Sequence, residues 1–248
     1  MPPLSDILLV ATAILVAMAP MTASFLQCWA DRARGGNSGA PDGRSYCDSC
    51  GKTLSAIDLV PVLSWLWNRG KSRCCKEPLS PALLWPEAAA FGFALWGALV
   101  APLALAVPTV ALVWALQIVI LLYALRPDVS NATICLLVLL GLGLSTAGLT
   151  GPFWQHAAGL AIGLGVIALS RVLTALQPFS DAALILAAAG ALLGIVLLPL
   201  ATVAGALFAA CYRVFAPSLG LPRAEWPRAA VIGISGGLWL AWLYGGTV

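Results

Sequence analysis

The sequence predicts an all-α polytopic membrane bundle of about eight transmembrane helices, with a cysteine-bearing cytoplasmic loop after the first. Hydrophobic residues make up 61% of the 248 and charged residues only 9%, and the mean hydropathy is +0.96. This inverts the balance that a water-soluble domain needs. The 24 Gly and 17 Pro are scattered through long apolar runs, as in membrane helices and unlike collagen or a polar disordered chain. The bases, finally, are confined to a few connections between those runs.

A hydrocarbon layer of about 30 Å takes roughly 20 helical residues to cross. Predominantly apolar stretches of about that length run over 4–26, 83–102, 104–125, 133–149, 157–176, 182–198, 200–215 and 229–246. The break between the sixth and seventh is placed at Pro199, whose ring removes a helix hydrogen bond; one long kinked helix there makes the count seven. This divides the chain into a first helix (1–26), a cysteine loop (27–81) and a helical membrane domain (82–248). No internal repeat is evident.

With eight spans, alternate connections at 27–79, 126–128, 171–181 and 213–228 hold all 13 Lys and Arg. The opposite connections, near Pro102, Gly151 and Pro199, hold none. Basic residues mark the cytoplasmic side, so the loop is expected inside and both termini outside. The first span has no basic n-region and precedes a basic loop, which reads as a retained helix and not a cleaved signal peptide. Lys52, Lys71 and Lys76 mark the inner face or meet anionic lipid. The midplanes of the spans are almost purely apolar, which disfavours a transporter. The lipid bilayer is an expected partner, and nucleic acid is not.

In the loop, Cys47-Asp48-Ser49-Cys50 stands beside Gly51, and Cys74-Cys75 follows after 23 residues. A reducing cytosol disfavours disulfides and leaves metal ligation as the natural use of such thiols. A polar loop of this size buries little core, and a closed zinc site supplies the missing folding energy. A second Cys-x-x-Cys would require cysteine at position 72, where the chain has Ser72, so reduced surface thiols on a turn are the alternative. Cys28, Cys135 and Cys211, in or beside spans, read as packing residues. Segment 57–67 reads as a short interfacial amphipathic stretch with Trp65 and Trp67 at headgroup level. His156, the only histidine, reads as a polar residue at an external helix start.

Met21-Thr22-Ala23-Ser24-Phe25, Ser45-Tyr46-Cys47-Asp48-Ser49-Cys50-Gly51, Asp58-Leu59-Val60-Pro61-Val62-Leu63-Ser64-Trp65-Leu66, Arg69-Gly70-Lys71, Pro78-Leu79-Ser80 and Glu87 together resemble the N-terminal half of type IV prepilin peptidases. The resemblance implies an aspartic endopeptidase of the bacterial inner membrane. It implies cleavage of the basic leader from type IV prepilins or type II secretion pseudopilins, and N-methylation with S-adenosylmethionine. It also implies zinc on a cysteine tetrad, here Cys47, Cys50 and Cys75 with Cys74, or position 72, as the fourth.

Asp128 and Asp181 fall at the cytoplasmic ends of spans, where an ionisable group is costly unless used or solvated. Brought within reach of each other, two carboxylates share a proton and divide the roles of acid and base. As single residues they read equally as a solvated acid and a helix cap. Tyr123-Ala124-Leu125-Arg126 resembles the family's Tyr-Asp-Leu-Arg, with Ala124 in place of the acid and Asp128 nearby. Asp181, in Pro178-Phe179-Ser180-Asp181, matches the acid of the second catalytic motif without its glycines. The alternative to a protease is therefore a proteolytically silent relative that binds pilin-like helices or acts in assembly.

Overall fold

A computed structural model describes residues 3–34, 45–122, 127–219 and 225–245. Among them the regular structure is helical, apart from two isolated β-bridges. Four helical stretches are long and apolar enough to cross a membrane: Leu4–Trp29, Leu103–Ile120, Phe153–Val172 and Thr174–Phe215; Leu84–Val100 and Asn131–Thr146 are apolar but shorter. The chain divides into two compact units, 1–99 with 106–117, and 100–105 with 118–248.

The first unit holds α1 (Leu4–Arg34), the cysteine loop with its short α2 (Leu63–Trp67), α3 (Leu84–Val100) and the middle of α4 (Leu103–Leu122). Helix α1 outruns the expected end at residue 26, because no Gly or Pro interrupts the sequence between Thr22 and Arg34 and charged residues are tolerated in a helix. Segment 57–67 is not one amphipathic stretch. A 3₁₀ turn over Ala56–Leu59 and α2 are separated by Val62 at φ 61°. Trp67 is 89% exposed, whereas Trp65 is half-buried, with its ring against Gly70.

The second unit contains α5 (Pro127–Thr146), α6 (Phe153–Val172), α7 (Ser180–Phe215) and α8 (Trp226–Tyr244). Helix α7 is its centre and packs against α5, α6 and α8. Lipid tails are as apolar as leucine, so association of membrane helices relies on close van der Waals packing between small residues. Gly159 and Gly163 on α6 meet the backbone of Gly190 and Ala187 on α7, and Gly233 and Gly237 on α8 meet Gly205 and Ala201. Cys135 and Cys211 lie exposed on their helices and Cys28 is half-buried; none of the three fills a core position, contrary to the packing role expected. In a membrane bundle the exposed surface faces lipid, which suits a weakly polar thiol.

The break in α7 falls at Gly194 (φ 71°, ψ 175°) and not at Pro199, which stays inside the helix. Only glycine takes that left-handed φ without steric cost. The ring of Pro199 clashes in an unbroken helix with the carbonyl four residues earlier, that of Ile195, which directly follows the break. In an unbroken helix the Ala191 carbonyl accepts from the N–H of residue 195, which directly follows the break at Gly194. His156, 2% exposed on α6, reaches that carbonyl: its Nδ1 lies 2.9 Å from Ala191 O. A carbonyl only accepts, so Nδ1 carries the proton. His156 is thus a buried support for the bend and not merely a polar residue at an external helix start.

Candidate metal centre

The cysteine loop is built from two knuckles 25 residues apart. Tyr46 bridges to Thr53 and Lys71 to Pro78. The Cys47 N–H donates to Lys52 O (2.9 Å) and the Ser72 N–H to Glu77 O (2.7 Å). The Gly51 N–H donates to Cys47 O (2.8 Å) and the Lys76 N–H to Ser72 O (2.9 Å). The Leu54 N–H donates to Ser45 O (2.8 Å) and the Leu79 N–H to Gly70 O (2.7 Å). Gly51 (φ 69°) and Lys76 (φ 61°) take the same left-handed conformation. There is therefore an internal repeat, contrary to the sequence expectation. Its trace is Cys50-x-x-x-Leu54-Ser55 against Cys75-x-x-x-Leu79-Ser80. It is obscured because Ser72 stands opposite Cys47 and Lys76 opposite Gly51.

The knuckles bring Cys47, Cys50, Cys74 and Cys75 together, with all four Sγ within 4.8 Å of one another. Cys50 and Cys74 are 3.3 Å apart, and Cys47 and Cys75 3.7 Å. A tetrahedral zinc with Zn–S bonds of about 2.3 Å sets sulfurs roughly 3.8 Å apart, so the quartet has the size and chemistry to hold such an ion. Its thiols are electrically unequal. The Ser72 hydroxyl, then the backbone N–H groups of Cys50 and Ser49 and the Cys74 thiol, bring Cys47 down to about 6 against the opposing effect of desolvation. At Cys50 the Lys52 backbone N–H acts downward, but Cys74, desolvation, Cys47 and Cys75 outweigh it and push the thiol up to about 12.

Two carboxylates brace the segment between the knuckles. Asp58 Oδ2 accepts from the Ser55 hydroxyl (2.6 Å) and the Ser55 N–H (2.9 Å), and these bonds, with the Arg73 guanidinium 3.5 Å away, hold its carboxyl below the usual range. Glu87 on α3 accepts from the Val62 N–H at 2.7 Å, tying Val62, at positive φ, to an apolar helix. Gly70 (φ 70°) seats Trp65, and a Cβ there would come 2.9 Å from the ring. Gly70→Ala is accordingly expected to cost about 1–3 kcal/mol through the backbone conformation alone. Faster proteolysis between residues 45 and 80 checks it, with unchanged cleavage elsewhere.

Asp181 is exposed in the first turn of α7. Asp128 is the second residue of α5, and its side chain, like Ala124, lies outside the described residues. Both acids therefore begin helices of the second unit, where the helix dipole favours negative charge. Sequence reasoning missed Glu87 as a brace; it singled out position 72 from the Cys-x-x-Cys spacing, and the structure places Ser72 beside the quartet, 3.0 Å from Cys74 Sγ.

Residues 17–101 match the family model described as Bacterial Peptidase A24 N-terminal domain. This part of the chain is similar to the N-terminal domain of that peptidase family. A prepilin leader peptidase/N-methyltransferase of Pectobacterium carotovorum subsp. carotovorum is 36% identical over a segment covering 23% of this chain and 24% of that relative. One from Klebsiella pneumoniae is 39% identical over 23% and 26%, and one from Aeromonas hydrophila 46% identical over 15% and 13%. The chain thus spans about a quarter or less of the length of these prepilin peptidase relatives. No solved structure matches it. All four clustered cysteines, Asp58 and Glu87 lie inside the matched prepilin peptidase segment, whereas Asp128 and Asp181 lie beyond it.

Proposed function

We propose that this chain is a membrane-embedded prepilin peptidase-like protein acting on type IV prepilins or type II secretion pseudopilins, with zinc holding its cysteine loop. The observation that carries the reading is the quartet of thiols within 4.8 Å, placed inside the segment that matches the peptidase family. Zinc, when bound to four thiolates, is a closed structural centre that supplies folding energy and leaves no open position for catalysis. The proteolytic chemistry belongs to Asp128 and Asp181, one activating water and the other protonating the leaving amine. The grouping of all 13 bases in alternate connections supports an inner-membrane protein with both termini outside and the loop in the cytoplasm. S-adenosylmethionine enters through the second activity in the relatives' names, and no described residue is assigned to it.

Ala124, where the family motif carries an acid, favours a second reading, in which the chain binds pilin-like helices or acts in assembly without cutting them. The two readings separate when membranes containing the protein are incubated with a prepilin. The protease reading expects a shortened product whose formation falls about 10²–10⁴-fold with Asp181→Ala. No product from either protein leaves the silent relative.

A further inference from the structure

We propose that the fourth ligand of the metal centre has moved from position 72 to position 74, and that the Ser72 hydroxyl, left at the vacated corner, is a positioning residue for the bound thiolates. This rests on the metal-site reading above and concerns how this chain builds the site.

The internal repeat carries the proposal. Three pairs of backbone hydrogen bonds, a pair of bridges and a pair of left-handed residues recur at an offset of 25. The offset places Cys50 on Cys75 and Cys47 on Ser72. Cys47 and Ser72 are the two buried residues between 45 and 80, at 7% and 5% exposure, and their side chains meet, with Ser72 Oγ 3.5 Å from Cys47 Sγ. Position 72 therefore faces the centre as position 47 does. A neutral hydroxyl is a poor ligand for zinc beside thiolates, and the cluster obtains its fourth sulfur from Cys74, two residues on and exposed. Ser72 Oγ lies 3.0 Å from that sulfur.

A metal-bound thiolate has no proton to give, so the hydroxyl must be the donor, and its single proton serves the two sulfurs it faces, Cys74 at 3.0 Å and Cys47 at 3.5 Å. Such outer partners orient ligands, and their removal typically lowers metal affinity about 10–100-fold. The displaced ligand also explains why the motif is irregular in sequence while the loop is symmetric in space.

The test uses the full-length protein in detergent, stripped of metal and titrated with Co²⁺, with sulfur-to-cobalt charge-transfer absorption reporting the number of thiolates. Cys74→Ser is expected to lose one thiolate's absorption. The double variant Ser72→Cys/Cys74→Ser, which restores Cys-x-x-Cys in the second knuckle, is expected to regain it. Ser72→Ala should keep the four-thiolate spectrum and bind Co²⁺ about 10–100-fold more weakly, and Ser72→Thr should recover the affinity. A Cys74→Ser protein with an unchanged spectrum, or a double variant still one thiolate short, overturns the ligand shift. Unchanged affinity in Ser72→Ala overturns the positioning role. Wild type that takes up neither Co²⁺ nor Zn²⁺ would instead remove the metal reading itself, a result distinguishable from all of these.

Discussion

Cys50→Ser is expected to strip the loop of its metal and, with it, of its fold. Between residues 45 and 80 only Cys47 and Ser72 are buried, so there is no hydrophobic core to hold the knuckles once the centre is gone. A structural zinc contributes on the order of 10–16 kcal/mol at neutral pH in small domains, more than the total stability of many proteins. Chelation should act like the substitution. Zinc content after dialysis and limited proteolysis of the loop are the measurements; wild-type zinc and wild-type resistance in Cys50→Ser would contradict it. Acid should have the same effect, because protons compete with metal for thiolates. In the metal-free loop Cys47 titrates at about 6 while Cys50 is held at about 12. At neutral pH binding must therefore expel at least the Cys50 proton, so affinity rises with pH. Below about 6 Cys47 must be deprotonated as well, and retention should fall more steeply.

Gly163→Leu is expected to separate α6 from α7, whereas Gly165→Leu, two residues along the same helix, is expected to be tolerated. A Cβ on Gly163 would strike the backbone of Ala187; one on Gly165 meets nothing within 4 Å. Forcing a side chain into a packed contact costs roughly 1–3 kcal/mol and more when backbones must part. Leucine at the open site gains up to about 1 kcal/mol of helix propensity over glycine. Unfolding in mixed detergent micelles, followed by tryptophan fluorescence, should show opposite shifts. Equal shifts would mean that close backbone approach does not hold these helices together.

Composition and periodicity carried the fold class because hydropathy depends on residue type alone. The contrast between apolar runs and basic connections needs no knowledge of packing. They failed where direction matters. The faces of α6, α7 and α8 are invisible to an amphipathicity reading because lipid-facing and helix-facing positions are both apolar, and it is glycine spacing at 159/163 and 233/237 that marks the contacts. The bend was assigned to Pro199 because proline is the familiar breaker, yet Gly194 tolerates the required φ and His156 makes the break affordable. In the loop, Cys47-x-x-Cys50 was legible from spacing and its partner was not, since a register-shifted thiol defeats a search for matching motifs. Asp128 and Asp181 were legible as acids at helix starts; their partnership depends on how α5 and α7 approach, which local sequence does not encode.

The bond from His156 to the Ala191 carbonyl has a bearing on biogenesis. Residue 191 is made after residue 156, so the supporting imidazole is already in place when the seventh helix emerges. A seventh helix arriving without its neighbour would keep the break that Pro199 and Gly194 favour but lack the imidazole that meets the Ala191 carbonyl there.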